Sequence, residues 1–117
     1  MPREPRSLPT RLPSRILFQV TSDARRAIAA IRECIASDRY AISLHFSQRM
    51  AERGLFWPDV EAVLAAPSGV RSGGMDRYGR PKWLVTGETF DAYEIEIVCA
   101  VEVDESGTEF ITLCWED

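Results

Sequence analysis

The residues best suited to chemistry are one histidine and two arginines at four-residue steps: His45, Arg49 and Arg53. On an α-helix this spacing lines up the three side chains, so that together they can hold a phosphate or a developing oxyanion. A histidine side chain can also take or give a proton, which suits attack by a 2′-hydroxyl within RNA. In the structural alternative, the arginines pair with acids such as Glu52 or Glu61, and the histidine is an ordinary hydrogen-bonded residue.

A second group of candidates lies in a basic, turn-rich segment that extends from residue 71 to residue 82. Its glycines allow backbone amides to approach an anion, its arginines can bind phosphate, and its tyrosine offers a face for an unpaired base. We therefore predict a loop that binds single-stranded RNA. The predicted substrate-binding residues are Arg71, Arg77, Tyr78, Arg80 and Lys82. The alternative is a solvated hairpin loop, because a glycine-rich segment without a P-loop pattern is a weak signal.

Charge is divided unevenly along the chain, whose net charge is −4. Residues 1–82 contain all 14 Lys and Arg with 8 acids, whereas residues 83–117 contain 10 acids and no base. Either these charges solvate separate surfaces, or the basic part meets an anion such as RNA while the acidic part repels it or receives a basic partner. Glu94, Glu96 and Glu102 are assigned to solvent or to such a partner, since their spacing is typical of the wet face of a sheet.

The composition of the chain is that of a globular protein. A chain of 117 residues with 45% apolar and 27% charged residues is typical of one globular domain. Cys34, Cys99 and Cys114 lie far apart without a C-x-x-C pair, and the chain has one histidine, so we predict no disulfide framework, no metal site and no cofactor. The sequence contains neither a long apolar run nor a signal-peptide pattern. We therefore expect no membrane contact and a cytoplasmic location.

Hydrophobic spacing indicates the helices that must position these residues. We expect a flexible, Pro- and Arg-rich arm over residues 1–20 and a single domain over residues 21–117. Apolar residues at helical spacing predict a first helix from about 23 to 37. After a brief extended link, a second helix covers 45–53 and ends at Gly54, and a third begins at Trp57 and stops before Pro67.

Strands are predicted after the third helix. Alternating apolar residues place strands at 82–86, 93–103 and 109–115, with a further short strand near Val70. The expected fold class is α+β, with two or three N-terminal helices packed on one face of a three- to four-stranded antiparallel sheet.

The run from Leu44 to Leu55, LHFSQRMAERGL, resembles the motif of a bacterial family numbered as domain of unknown function 4258. That motif is roughly H-A-x-x-R-M-x-x-R-G-I, and the resemblance extends over about residues 38–116, including the later strands at 79–87 and 110–113. The family is similar in architecture to RelE-like toxins, including the motility quorum-sensing regulator type. Those toxins cleave messenger RNA without a metal and are held inactive by an antitoxin protein.

The resemblance implies an endoribonuclease toxin with a RelE-like two-layer fold, in which His45, Arg49 and Arg53 are catalytic. It also implies RNA as the substrate and an antitoxin as the partner. Two positions depart from the pattern: Phe46 replaces a small residue, and the strands that usually carry basic catalytic residues carry acids here. The alternative function is a non-catalytic module of the same fold whose acidic sheet docks a basic protein.

Overall fold

The protein is described by a computed structural model over residues 21–115. The predicted N-terminal arm, residues 1–20, lies outside the described residues. The described chain forms three helices and five strands. In chain order these are α1 (Ser22–Ala36), β1 (Tyr40–Ile42), α2 (Leu44–Arg53), α3 (Trp57–Ala65), β2 (Gly69–Met75), β3 (Pro81–Glu88), β4 (Glu94–Val101) and β5 (Thr108–Trp115).

The helix boundaries follow the capping residues that the sequence supplies. The Thr21 side chain accepts a hydrogen bond from the amide of Ala24 at the start of α1. At the start of α2, the Ser43 side chain accepts one from the amide of Phe46. Helix α2 ends at Gly54, whose φ of 67° is left-handed and therefore suits glycine. The three predicted helices are confirmed with shifts of one or two residues.

The sheet is larger and more mixed than the sequence predicted. Its strand order is β1-β5-β4-β3-β2, and β1 pairs with β5 in parallel while the other pairs are antiparallel. The four predicted strands are present and antiparallel to one another, and the expectation lacked the fifth strand, β1, which is parallel. Strand β1 has only three residues, too few to show a period, and β2 includes Gly73 and Gly74, which reduce the strand signal of that segment.

The core lies between one face of the sheet and the helices. Along β4 the alternate residues Ile95, Ile97, Cys99 and Val101 are buried there, as the sequence pattern predicted. Helix α1 contacts β2 and β4, α3 contacts β3, and α2 contacts β5. Phe46 is fully buried, so the large residue after the histidine packs inward. Within residues 21–115, the structure contains no helix of the length and apolar character needed to cross a bilayer.

Candidate functional site

Helix α2 lies beside the part of strand β5 that β1 does not cover. Strand β1 pairs with β5 only as far as Phe110, and from there α2 and its cap bind the β5 carbonyls. The Ser43 amide donates to the Phe110 carbonyl at 3.0 Å, and the Ser43 hydroxyl donates to the Ile111 carbonyl at 2.8 Å. Six residues after Ser43, Arg49 Nε donates to the Leu113 carbonyl at 3.4 Å. We call this junction the α2–β5 edge.

The structure places His45, Arg49 and Arg53 at successive turns of α2 along this edge. Successive members of the stripe are about 6 Å apart along the helix axis. His45 is exposed, whereas Arg49 and Arg53 are half-buried. Arg49 Nη1 also pairs with Glu52 Oε1 at 3.4 Å. This is one of the ion pairs expected if the arginines have only a structural role. The four-residue spacing therefore predicted the stripe correctly. The structure adds that the stripe lies along strand β5.

Arg53 holds a positive charge without a counter-ion in the described part of the chain. Its guanidinium carbon lies 5.5 Å from the ring centroid of Trp115, at the end of β5. Its Nε is buried and has no hydrogen-bond partner, and residues 21–115 provide no carboxylate within ion-pair distance. The guanidinium is therefore not neutralised by a carboxylate of residues 21–115, although Nε itself has no surface that a ligand could reach.

Trp115 is a site residue that the sequence analysis did not identify. Its ring contacts Tyr93 at 5.3 Å between centroids, so it is held between the last turn of α2 and the β3–β4 hairpin. The one available signal was an aromatic residue at the end of the last predicted strand. The register between that strand and α2, which brings Trp115 to Arg53, has no local signature in the sequence.

Arg80 of the predicted loop is already neutralised by carboxylates. It binds Asp76 Oδ2 at 2.8 Å, Glu102 Oε2 at 3.1 Å and Glu109 Oε1 at 2.8 Å, and its side chain is only 15% exposed. The hydrogen bond to Glu109 raises the pKa of Arg80, burial lowers it, and the bonds to Asp76 and Glu102 raise it further, with a net increase. Arg80 is therefore a structural cation at the junction of β3, β4 and β5.

Asp76 closes this network on the side of the hairpin turn. Its carboxylate accepts hydrogen bonds from the Tyr78 amide, the Arg80 amide and the Arg80 side chain. Burial by itself would raise the pKa of Asp76, but the hydrogen bonds and the charge of Arg80 outweigh it, so the pKa lies below the ordinary value of 3.8. The carboxylate therefore shapes the turn between β2 and β3.

The other loop candidates have different surroundings. Arg71 lies in β2 and pairs with Glu96 Oε2 at 2.8 Å, and Lys82 is half-buried in β3. Arg77 is exposed, and its guanidinium carbon lies 5.2 Å from the ring centroid of Tyr78, which is also exposed. Thus Arg77 and Tyr78 are the exposed loop candidates that pair with no carboxylate within residues 21–115.

The loop and the Arg53 end of the α2 stripe lie well apart along β5. Arg80 binds Glu109 near the start of β5, whereas Arg53 contacts Trp115 at its end. Six residues of strand separate these two positions, which corresponds to about 20 Å. A ligand that touched both groups would have to follow β5 across most of its length.

Several opposite charges from the two parts of the chain pair with each other in the folded protein. Three arginines from the basic part bind acids from the acidic part; these pairs are Arg26–Glu105, Arg71–Glu96 and Arg80 with Glu102 and Glu109. Glu96 is only 8% exposed, so its assignment to solvent was wrong. Much of the charge asymmetry along the sequence therefore serves internal pairing.

The His, Cys, Asp and Glu side chains are the possible metal ligands of the described residues. Within residues 21–115, His, Cys, Asp and Glu side chains form no group of three that could bind a metal ion. Cys34 and Cys99 are buried free thiols, and burial raises the pKa of the Cys99 thiol to about 12. Neither thiol has the exposure that a nucleophile or ligand needs.

The fold and the edge together define a small α+β protein with a helical His-Arg-Arg stripe beside the last strand of its sheet. The chain belongs to the family described as domain of unknown function DUF4258, whose model matches residues 42–115. The match covers α2, α3 and all of β2 to β5, and it includes both the stripe and Trp115. Comparison with curated proteins and with solved structures found no match.

Proposed function

We propose that the protein is a metal-independent endoribonuclease that binds single-stranded RNA at the α2–β5 edge and acts as the toxin of a toxin–antitoxin pair. The observation that carries the proposal is the charge of Arg53, which has no ion-pair partner within residues 21–115 and lies on the same stripe as the exposed His45. The resemblance of the motif to RelE-like toxins supports the same reaction. An arginine held over an indole ring can bind a phosphate while the ring stacks on or beside a base.

The proposed reaction is attack of a ribose 2′-oxygen on the adjacent phosphorus. His45, as the neutral imidazole, accepts the 2′-hydroxyl proton, and the 5′-oxygen leaves as its bond to phosphorus breaks and takes a proton from water or from the imidazolium. The products are a 2′,3′-cyclic phosphate and a 5′-hydroxyl end. Both are formed without an external reactant, because the attacking oxygen belongs to the substrate.

The arginines have different parts in this proposal. Arg49 is one helical turn from His45, so its guanidinium is placed to stabilise the charge on the phosphate that reacts. Arg53 is about 12 Å from His45 along the helix, which suits the phosphate of a neighbouring nucleotide rather than the same one. Arg77 and Tyr78 lie in the turn between β2 and β3, outside the α2 stripe, and in this proposal they contact other nucleotides of the RNA. Arg80 is given no role toward RNA, since three carboxylates surround it.

The alternative of an acidic sheet that docks a basic protein has less support from the geometry. Glu96, Glu102 and Glu109 already bind arginines of the same chain, so little of their charge is available to a partner. Glu94 accepts a hydrogen bond from Ser68 at 2.9 Å.

Cleavage of a labelled single-stranded RNA in the presence of EDTA tests the proposal. We expect cleavage by the wild-type protein and a loss of about a hundredfold or more in the rate for His45→Gln. Arg53→Gln should weaken RNA binding, while Arg25→Gln, which changes an exposed arginine on α1, should behave like the wild type. Circular dichroism verifies that each variant is folded. Equal cleavage by folded His45→Gln would refute the role of the histidine.

The toxin assignment needs a separate test in cells. Induced expression of the wild-type chain should arrest bacterial growth, and His45→Gln should relieve the arrest at equal protein level. If the purified protein does not cleave RNA with or without added ribosomes, the endoribonuclease proposal is wrong.

A further inference from the structure

Three large aromatic side chains are exposed at the end of the molecule where β3 turns into β4. Phe56 is 71% exposed, Phe90 is 74% exposed and Tyr93 is 58% exposed. Phe56 precedes α3, and the other two lie in the β3–β4 hairpin. We call these three residues the aromatic end. Their exposed area is on the order of 400 Å², which matches the largest apolar patch of an ordinary monomer and about half of one side of a standard protein interface.

The aromatic end is held in place by hydrogen bonds to its backbone. One carboxylate, that of Asp59, accepts from the Phe56 amide at 3.0 Å through Oδ2 and from the Phe90 amide at 3.4 Å through Oδ1. The hairpin turn is closed by the Thr89 amide, which donates to the Tyr93 carbonyl at 2.9 Å. These bonds hold the backbones of the two phenylalanines at one carboxylate, which favours a surface prepared for binding over a frayed loop.

The β3–β4 hairpin of the aromatic end is negatively charged, whereas Arg53 lies beyond Trp115 on the far side of Tyr93. The hairpin carries Glu88, Asp91 and Glu94, and residues 83–117 contain no Lys or Arg. Glu88 and Asp91 are exposed and take part in no ion pair within the described range. A strand of RNA would be repelled there, whereas lysine and arginine side chains would be attracted. Apolar area ringed by acids is complementary to a segment that carries both apolar and basic residues.

We propose that the aromatic end is a docking surface for a protein segment that combines lysine or arginine with apolar side chains. Phe56 and Phe90 would receive its apolar residues, and Glu88 and Asp91 would pair with its basic ones. This surface is distinct from the acidic sheet face, whose carboxylates are already paired. The proposed partner is therefore a basic, amphipathic protein segment, not RNA and not a second copy of this protein.

The aromatic end continues into the α2–β5 edge. Tyr93 contacts Trp115, and Trp115 lies under Arg53. A segment docked on the hairpin would therefore cover one end of the proposed RNA site and reduce access to Arg53. This consequence rests on the proposed function, but the docking itself does not.

The test is an NMR titration of the isotope-labelled full chain with a short peptide of leucine and lysine. We expect the amide signals of Phe90 and Tyr93 and the indole signal of Trp115 to shift. Phe90→Ser and the double variant Glu88→Gln with Asp91→Asn should each raise Kd about tenfold. The matched controls are Val103→Ser, an apolar residue 77% exposed after the far end of β4, and Glu33→Gln on α1; both should retain the wild-type Kd.

Three results would overturn the docking proposal. The first is equal weakening by Val103→Ser and Phe90→Ser, which would indicate nonspecific binding. The second is a wild-type dimer in sedimentation that Phe90→Ser dissociates, which would assign the surface to a second copy. The third is tighter binding of oligouridine than of the peptide at the same amides. Because His45→Gln should leave peptide binding unchanged, failure of the ribonuclease proposal is distinguishable from failure of this one.

Discussion

The guanidinium of Arg53 lies over the indole of Trp115, 5.5 Å from the ring centroid, and joins the last turn of α2 to the end of β5. A cation held on an aromatic face in a half-buried position contributes about 1 kcal/mol. In a double-mutant cycle with Arg53→Met and Trp115→Leu, we expect a coupling energy of that size from urea unfolding. A coupling near zero would show that the two residues are merely neighbours.

The same pair gives a second readout in RNA binding. Trp115→Leu removes the ring that supports the guanidinium, so the variant should bind single-stranded RNA more weakly even where it is fully folded. Trp83→Leu is the control, since Trp83 is a half-buried tryptophan of β3 far from α2. Unchanged RNA affinity in Trp115→Leu would remove the indole from the proposed site.

Replacement of Arg80 should destabilise the protein more than replacement of any exposed arginine. Arg80→Met leaves Asp76, Glu102 and Glu109 without their shared cation, and removing one partner from a buried ion pair costs about 3–5 kcal/mol. Part of the loss should be recovered at high salt, which screens the remaining repulsion. The measurement is urea unfolding of Arg80→Met beside Arg25→Gln, and a difference under about 0.5 kcal/mol would contradict the network.

The lowered pKa of Asp76 should make the stability of the protein depend on pH. Its folded-state pKa lies below the ordinary value of 3.8, so its contribution to stability is present above pH 3.8 and is lost as the pH falls through the folded-state pKa. The free energy of unfolding should therefore decrease in acid. In Asp76→Asn, and also in Arg80→Met, the decrease below about pH 4 should be smaller than in the wild type. An identical acid profile in all three proteins would refute this linkage.

The helices and the central strands were predictable because their signals are local. Thr21 marks a helix start through its side-chain hydroxyl and Gly54 a helix end through its left-handed backbone, and the two-residue period of β4 shows which side chains are buried. Strand β1 was missed because it has three residues and gains its hydrogen bonds from Thr108–Phe110, far along the chain. Its parallel direction could not be read from any local pattern.

The site was predictable in part for the same reason. Four-residue spacing places His45, Arg49 and Arg53 on one stripe, but the groups that they meet come from tertiary pairing. Arg49 and the Leu113 carbonyl are 64 residues apart in sequence, and composition alone does not show whether opposite charges pair within a fold. The predicted loop illustrates this limit, because Arg71 and Arg80 looked available for phosphate and are bound to carboxylates.

Cys99 should be protected from alkylation in the native protein. The thiol is fully buried, and burial raises its pKa to about 12, so almost no thiolate is present near neutral pH. We expect iodoacetamide to label Cys99 at pH 8 only at the rate of unfolding, as followed by mass spectrometry. Urea at the unfolding midpoint should restore ordinary reactivity. Rapid labelling in native buffer would show that β4 opens without global unfolding.

The contact between α3 and the sheet depends on the absence of a side chain at Gly87. A Cβ at this position would lie 3.0 Å from Val63 Cγ1 and 3.4 Å from the Val63 backbone, so Gly87→Ala should push α3 away from β3. Overpacking of this kind costs about 1–3 kcal/mol. The matched control is Gly107→Ala, where the added Cβ would be no closer than 3.6 Å to its neighbours and stability should change little. Urea unfolding of both variants measures the difference, and equal stability would show that α3 can move without cost.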